Sequence, residues 1–279
     1  MAAASRESAL GIKSILTKLG ENVTRVEEAE EVTRHYLEVL DRVNASGASG
    51  ASGASGASGL AAQISVKPTQ LGLDLDAGLC FANLQQLVDR AAARGTFVWI
   101  DMESSRYVDR TLDLFRRTRA RSSRIGIALQ AYLHRTEADL ESLLPLGPAV
   151  RIVKGAYLEP ASLAFQKKAD VDARFYTLAC RMLGANDPPA GSLLHIATHD
   201  ERLVNRLAVF IDERGVPAPA YEYAMLYGIQ QPLQRRLVQA RRPLRVLISY
   251  GDYWFPWYMR RLAERPANVW FVVKSLFAR

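Results

Sequence analysis

Apolar and polar positions along this chain fall into two kinds of alternating segment. Runs rich in apolar and β-branched residues, typical of buried strands, recur between more polar stretches. These runs span residues 11–19, 62–71, 96–103, 124–133, 149–157, 192–200, 221–226 and 244–251. The stretches between them carry helical periodicity, so the pattern predicts strands that alternate with helices along the chain.

Several of the intervening stretches have recognisable helix ends. Residues 27–43 place acidic residues in the first turn and an apolar stripe on one face. Residues 79–95 and 171–184 each end in glycine, which favours the left-handed conformation that closes many helices. Asp200 is a natural N-cap for the helical pattern that follows it.

Strand–helix pairs without a hairpin turn between strands predict an α/β fold, a TIM-type (β/α)8 barrel, regular or distorted. A doubly wound sheet would require a glycine-rich phosphate loop after an early strand, and the sequence has none. We expect residues 1–279 to form a single catalytic barrel domain. We also expect its last helix, which carries residues 257–264, to pack over the barrel mouth.

Residues 45–59 are a run of consecutive Ala-Ser-Gly triplets. Such a tract buries no apolar surface and behaves as a flexible coil. Its perfect repetition looks engineered, so we assign it no function. In the predicted barrel it joins the first helix to the second strand, on the face opposite the active-site face. An insertion is tolerated there.

Composition narrows the class of protein. About half of the 279 residues are hydrophobic, which is enough for a sizeable core. No apolar run approaches the roughly 18 residues that cross a bilayer, and the N-terminus lacks a signal peptide. We therefore expect a cytoplasmic protein and leave peripheral contact with the inner membrane open. Much of the net charge of +7 lies near predicted helix ends, where cations face water, so nucleic-acid binding is not expected.

Chemistry in such a barrel takes place at the carboxyl ends of the strands. Most polar residues predicted there are hydrogen-bond donors: Lys67, Gln130, Arg151, Lys154, Thr198 and His199. Converging donors suit an electron-rich ring or a phosphate better than they suit hydrolysis. The sequence shows no His, Cys and carboxylate grouping with metal-ligand spacing, so no metal site is predicted.

The fifth strand is anomalous because it carries a cation among apolar residues. Arg151 lies between Val150 and Ile152, and Lys154 follows at the strand end. A buried unpaired cation is costly, so a ligand or partner must justify it. The small residues at positions 155 and 156 would let a planar ligand approach the backbone, although a simple strand-end turn explains Gly155 equally well.

The last helical stretch is the second anomaly. Arg260 and Arg261 are adjacent, and Glu264 lies one turn further on. Adjacent arginines usually face water, but the aromatic cluster at residues 254–258 crowds these two. Paired guanidinium groups are well matched to a carboxylate.

The motifs, taken together and in order, resemble the proline dehydrogenase family, the flavin-dependent barrel that also occurs within bifunctional proline utilisation A proteins. The matching segments are "LGEN" at 19–22, "SVKPTQLG" at 65–72, "IDME" at 100–103, "LQAY" at 129–132, "RIVKGAY" at 151–157, "ATHD" at 197–200, "YEYAMLYG" at 221–228 and "YMRRLAERPANVWFV" at 258–272. They cover nearly the whole chain from about residue 11.

The resemblance implies that FAD binds at the barrel mouth and that L-proline lies against its ring. It implies oxidation of proline to Δ1-pyrroline-5-carboxylate by hydride transfer to flavin N5, with a quinone as the final acceptor. The implied catalytic residues are Arg151, Lys67 and Asp101. Substrate contacts are implied for Lys67, Arg260, Arg261, Leu226 and Leu247. Cofactor contacts are implied for Gln130, Arg151, Val153, Lys154, Gly155, Ala156, Thr198, His199 and Glu264, and an ion-pair role for Glu21.

One position departs from the family pattern. Many members carry a tyrosine on the eighth strand that packs against the substrate ring, and Leu247 occupies that position here. This departure bears on proline affinity and on discrimination against hydroxyproline.

Two other functional hypotheses compete with that of a flavin-dependent proline dehydrogenase. A Schiff-base aldolase-like barrel would use Lys67 or Lys154 as nucleophile on a phosphorylated substrate, but it leaves Arg260 and Arg261 unexplained. A basic docking module would bind anionic membranes or nucleic acid. A visible spectrum separates the three, because only the flavoenzyme should be yellow and bleach with proline.

Overall fold

The computed structural model describes residues 1–43, 62–184 and 191–251. Its strands, in chain order, are β1 (Lys13–Lys18), β2 (Ala62–Val66), β3 (Val98–Ile100), β4 (Ile125–Gln130), β5 (Ala149–Val153), β6 (Leu193–Ala197), β7 (Tyr221–Leu226) and β8 (Leu244–Tyr250). Each strand pairs in parallel with the next, and β8 pairs with β1 to close the barrel. The predicted (β/α)8 barrel is confirmed.

Helices connect the successive strands. They are α2 (Val26–Arg42), α3 (Ala77–Ala93), α4 (Val108–Arg119), α5 (Thr136–Leu143), α6 (Lys168–Met182), α7 (Glu201–Glu213) and α8 (Gln231–Gln239). The predicted cap of α7 is confirmed, because the Asp200 carboxylate accepts a hydrogen bond from the Arg202 N–H. A further helix, α1 (Ala2–Ala9), precedes β1 and packs against β1 and β8.

Seven of the eight strands are shorter than their apolar runs, and β2 and β3 lose the most residues. The run 62–71 gives a strand only as far as Val66, and a 3₁₀ helix follows at Pro68–Leu71. Proline has no N–H to donate to a neighbouring strand, so pairing stops before it. The run 96–103 likewise forms β3 over only its middle part.

Alternation along β5 explains how an arginine fits in an apolar strand. Val150 and Ile152 are fully buried in the large core between the strands and the helices. Successive side chains point to opposite faces of a strand, so Arg151 points into the barrel. There it lies next to His195 of β6 in the strand register.

The barrel interior below the carboxyl ends of the strands, on the side away from the cavity, is filled around one large side chain. Trp99 is fully buried and packs with Ile15 and Ala149 in a cluster separate from the main core. Its indole ring covers β4 so closely that a Cβ on Gly126 would lie 2.6 Å from it. Glycine at position 126 therefore makes room for the Trp99 ring. Because the ring lies over β4 in this way, the barrel interior stays open at the carboxyl ends of the strands.

Two predicted features fall outside the described residues. They are the Ala-Ser-Gly tract at 45–59 and the last helix, which includes residues 257–264. The described α2 and β2 do flank the tract, as the sequence predicted. In the part of the chain that the structure describes, no helix is both long and apolar enough to span a membrane.

Candidate active site

A cavity of about 560 Å³ opens at the carboxyl ends of the strands. Its size suits a cofactor or small-molecule site, and its position is that of barrel active sites in general. Twelve of the predicted site residues line it: Lys67, Asp101, Gln130, Arg151, Val153, Lys154, Gly155, Ala156, Thr198, His199, Leu226 and Leu247.

Four predicted site residues do not line this cavity as described. Glu21, in the loop after β1, is half-buried and lies outside the cavity wall. Arg260, Arg261 and Glu264 belong to the residues that the structure does not describe. Their roles stay predictions from the sequence.

Arg151 is the most deeply buried cation of the cavity. Its Nη2 donates to Asp101 Oδ1 and, at 2.8 Å, to Ser65 Oγ. Its guanidinium lies over the Trp99 ring, 5.3 Å from the ring centre. Burial lowers the pKa of Arg151, and the nearby Asp101 partly offsets this. Its Nη1 is buried without a hydrogen-bond partner in the described part of the chain. Arg151, which lines the cavity, therefore keeps one buried part of its charged guanidinium without a hydrogen-bond partner.

Lys67 follows β2 and is the second buried cation of the cavity, with 5% of its surface exposed. Within the described ranges its Nζ makes no hydrogen bond or ion pair with another residue. The Glu103 carboxylate interacts with it electrostatically, but an ammonium group without a hydrogen-bond partner remains costly to bury unless an anion binds there. Lys67 thus marks a place for a negatively charged group.

Lys154 has a different environment from Lys67. Its Nζ donates to Asp172 at 2.5 Å and to Asp200 at 2.8 Å, and Lys168 bridges the same two carboxylates from the solvent side. Burial raises the pKa of Asp200, but hydrogen bonds from the two lysines outweigh it and hold that pKa well below its usual range. These groups form a neutralised rim of the cavity.

Gly155 is required by the protein itself. It has a φ of 118°, and a Cβ there would lie 2.2 Å from the Tyr132 ring. The sequence offered a ligand's approach or a strand-end turn as reasons for glycine. The packing of Tyr132 supplies a third reason that the sequence did not reveal.

His199 contributes a neutral donor. The Leu226 N–H donates to its Nε2, which therefore carries no proton, and the proton resides on Nδ1. Nδ1 is buried and has no partner in the described segments. Burial lowers the pKa of His199 to about 4, so the ring stays uncharged at neutral pH. This agrees with the predicted set of donors around the cavity.

The orientation of Gln130 is fixed by the backbone next to it. Its Nε2 donates to the carbonyl oxygen of Glu103 at 2.8 Å, and a carbonyl can only accept. The Glu103 carboxylate in turn accepts from the N–H of Thr69 at 3.0 Å and from its hydroxyl at 2.6 Å. From the sequence, Glu103 is identified only as part of the motif at 100–103, and no role of its own is predicted for it.

Glu103 should make stability pH-dependent. Burial raises its pKa from 4.5 to about 7, and hydrogen bonds from Thr69 offset only part of this. The folded protein then binds a proton that the unfolded chain has lost, so the free energy of unfolding should fall as pH rises from about 4.5 to 7. The expected loss is about 2–4 kcal/mol. Glu103→Gln should abolish it, as measured by denaturant unfolding at pH 5 and pH 8.

The exposed Glu38 supplies the matched control, because Glu38→Gln should leave that pH dependence as in the wild type. An equal pH dependence in Glu103→Gln and in the wild type would show that Glu103 is ionised throughout this range.

The opposite end of the barrel interior holds a buried ion cluster that sequence reasoning missed. Glu222 accepts from Arg245 Nε at 2.7 Å and from Lys13 Nζ at 2.9 Å, and His195 Nε2 lies 3.1 Å from it. Burial lowers the pKa of His195 to about 4. The His195 ring stacks on Trp99 with ring centres 4.1 Å apart, so the cluster supports the floor of the cavity from below.

Fold and site together define a (β/α)8-barrel enzyme whose cavity presents buried, unsatisfied cationic and neutral donors. A family model described as "Proline dehydrogenase" matches residues 1–274. The chain belongs to the proline dehydrogenase family, oxidoreductases that act on a CH–NH group. This confirms the resemblance read from the sequence motifs.

Individual relatives agree with this assignment. The chain is 34% identical to proline dehydrogenase 2 of Bacillus subtilis strain 168 over 266 residues, covering 95% of this chain and 82% of that protein. It is also 34% identical to proline dehydrogenase of Deinococcus radiodurans over 271 residues, again with 95% and 82% covered.

A solved structure shares the fold. Proline utilization A from Corynebacterium freiburgense superposes with a TM-score of 0.79 at 22% identity. That match covers 96% of this chain but only 30% of the longer protein.

Proposed function

We propose that this protein is a flavoenzyme that oxidises L-proline to Δ1-pyrroline-5-carboxylate and passes the electrons to a quinone. The observation that carries the proposal is the pair of unpaired cations at the cavity. Arg151 Nη1 and Lys67 Nζ are buried or nearly so, and neither has a partner in the described part of the chain. A site for a flavin ring and for an amino-acid carboxylate needs such donors.

The residues present fit FAD. A flavin ring is flat and rich in acceptor atoms. Arg151 and His199 line the cavity, and each carries a buried N–H donor without a partner in the described residues. Small side chains at Ala128, Ala197 and Ala224 leave room between them. The rest of the cofactor set proposed from the sequence consists of Gln130, Val153, Lys154, Gly155, Ala156 and Thr198, which line the cavity, and Glu264, which lies outside the described residues. When bound, FAD would supply the two-electron acceptor, at N5, for the hydride that leaves proline C5.

Arg151 would stabilise the negative charge that accompanies reduction of the ring. A fixed donor in a water-poor site stabilises developing charge without reorganising. Asp101, ion-paired to Arg151, would keep that cation in place. The chain's residues thus contribute position and electrostatics to the reaction rather than covalent chemistry.

Lys67 would bind the substrate carboxylate together with Arg260 and Arg261. Leu226 and Leu247, which line the cavity, would form its apolar wall. Glu21 and Glu264 would hold the two arginines in place. The placement of Arg260, Arg261 and Glu264 rests on the sequence motifs alone, whereas Glu21 lies in the loop after β1.

A visible spectrum tests the proposal directly. Purified protein should be yellow, and its flavin bands should bleach when L-proline is added without oxygen. Reoxidation by a soluble quinone should restore the colour and thereby test the acceptor. A colourless protein that binds no added FAD would contradict the proposal.

A protein that partitions with anionic vesicles would support the peripheral membrane contact left open by the sequence.

The aldolase-like alternative is less well supported by the structure. A Schiff-base lysine needs a free amine, but Lys154 is engaged with Asp172 and Asp200. Lys67 has no such partner and stays chemically available. Borohydride reduction in the presence of a carbonyl substrate would trap an adduct on Lys67 only under the alternative.

Leucine at position 247, compared with tyrosine, should weaken the preference for proline over trans-4-hydroxyproline. It lines the cavity and pairs in register with Leu226 and Ile15. Leu247→Tyr should tighten proline binding by about 1 kcal/mol, the scale of one aromatic contact. It should also raise the ratio of kcat/KM for proline over trans-4-hydroxyproline, because the larger ring crowds the added hydroxyl. Steady-state kinetics with both substrates measures this, and an unchanged ratio would place the substrate away from β8.

A further inference from the structure

The Ser65 hydroxyl completes a closed cycle of hydrogen bonds beside the cavity. Ser65 lies on β2 and is fully buried. Its Oγ donates to Asp101 Oδ1 at 2.8 Å and accepts from Arg151 Nη2 at 2.8 Å. The same Nη2 donates to Asp101 Oδ1. Each of the three side chains therefore contacts the other two.

This cycle fixes the rotation of the Arg151 guanidinium. Nη2 carries two N–H groups, and Asp101 and Ser65 accept one each. The guanidinium is planar, so fixing both bonds of Nη2 also fixes the direction of Nη1. The Trp99 ring restricts movement out of that plane. Asp101 alone would leave the group free to rotate about a single contact.

Ser65 is itself held from outside the barrel. The hydroxyl of Tyr36 on α2 donates to the Ser65 carbonyl oxygen at 3.0 Å and accepts from the Lys18 N–H at 2.8 Å. Tyr36 is fully buried, so these contacts are shielded from water. The backbone of β2 is thereby fixed where it presents the serine hydroxyl to Arg151.

A neutral partner suits this position better than a second carboxylate would. Another anion beside Arg151 would neutralise more of the guanidinium charge, and that charge is what would stabilise the reduced ring. A hydroxyl satisfies the second N–H of Nη2 without that loss of charge.

We propose that Ser65 is a positioning residue, which holds the Arg151 guanidinium at the cavity wall so that its positive charge stabilises the negative charge developing on the reduced flavin. The proposal rests on the proposed flavin-dependent function. It predicts that removing one hydroxyl, which touches neither substrate nor cofactor, weakens the stabilisation of a negatively charged flavin.

Sulfite is a suitable probe, because its sulfur lone pair forms a bond to flavin N5 and the ring π electrons that this bond displaces leave negative charge on the N1–C2 carbonyl part of the ring. Titration of the flavin-loaded enzyme follows the loss of the visible band and requires no turnover. The adduct should bind about tenfold more weakly in Ser65→Ala, the scale of one hydrogen bond to a charged group. With proline, kcat should fall by a similar factor while KM stays within about twofold.

Ser14→Ala is the matched control. Ser14 is a buried serine on the neighbouring strand β1, and its hydroxyl has no partner in the described part of the chain. Its removal should leave sulfite affinity and kcat unchanged. The thiol in Ser65→Cys is a weaker donor and acceptor, so this variant should have a sulfite affinity and a kcat between those of the wild type and of Ser65→Ala. It replaces Ser65→Ala in the test if the alanine variant binds no flavin.

Equal sulfite affinity in Ser65→Ala, Ser14→Ala and the wild type would overturn the positioning role. Failure of the proposed function has a different signature, since the wild type itself would then bind no flavin or would not be reduced by proline.

Discussion

Replacement of Arg151 by methionine is expected to slow reduction of the flavin by proline by about 10²–10³-fold, the scale of removing one preorganised donor. Methionine fills similar space but carries no charge, so the donor Nη1 is lost together with the contacts to Asp101 and Ser65. The expected loss lies in the rate of reduction more than in KM, because the proposed contact is with charge that develops during the reaction.

Single-turnover mixing with proline measures this rate on flavin-loaded protein. Arg151→Lys is the informative companion variant, because it keeps a positive charge but loses the planar fork that binds both Asp101 and Ser65. Its rate should lie between those of the methionine variant and the wild type. A methionine variant that is folded, flavin-loaded and reduced at the wild-type rate would remove Arg151 from the mechanism.

The direction of Arg151 could be predicted because strand periodicity is a local property. Val150 and Ile152 are apolar and face the helices, so the residue between them has to face the barrel interior. Leu247 is assigned to the site by the family resemblance, and its side chain also lies between two apolar neighbours on β8 and lines the cavity. Alternation within a few residues is sufficient to predict the direction of Arg151.

The partners of Arg151 could not be predicted in this way. Ser65 lies 86 residues away in sequence and on a strand that is separated from β5 by β3 and β4. The contact depends on the length of the arginine side chain and on Trp99 filling the space below it. Neither pattern nor propensity contains this information. The buried cluster around Glu222 escaped notice for the same reason, since its members come from β1, β6, β7 and β8.

Helix α1 shows a different limit of sequence patterns. Residues 2–9 have few apolar side chains beyond alanine, so no amphipathic stripe marks them as a helix. Ala4 is nevertheless buried, and the helix packs beside β1 and β8. Tertiary contact, rather than periodicity, stabilises such a short segment.

Replacement of Lys67 by methionine is expected to reduce kcat/KM for proline. The free-energy barrier that governs kcat/KM should rise by about 2–4 kcal/mol, the scale of a charge-assisted contact to a carboxylate. Most of the loss should appear in KM, because the carboxylate is bound equally in the ground state and in the transition state. The variant should fold well, since Lys67 has no ion pair within the described ranges and Glu103, with which it interacts electrostatically, keeps its two hydrogen bonds from Thr69. Burial of an unpaired cation is itself unfavourable, so the free energy of unfolding should hold or rise.

Lys13→Met provides the control at the other end of the same barrel interior. Lys13 pairs with Glu222, which keeps Arg245 as a partner after the substitution. Its kcat/KM should match the wild type. The decisive comparison uses a neutral amide of proline as second substrate: if Lys67 binds the carboxylate, Lys67→Met should lose far more activity toward proline than toward the amide. Equal losses for the two substrates would mean that Lys67 acts on the cofactor or on the barrel, and that the carboxylate binds elsewhere.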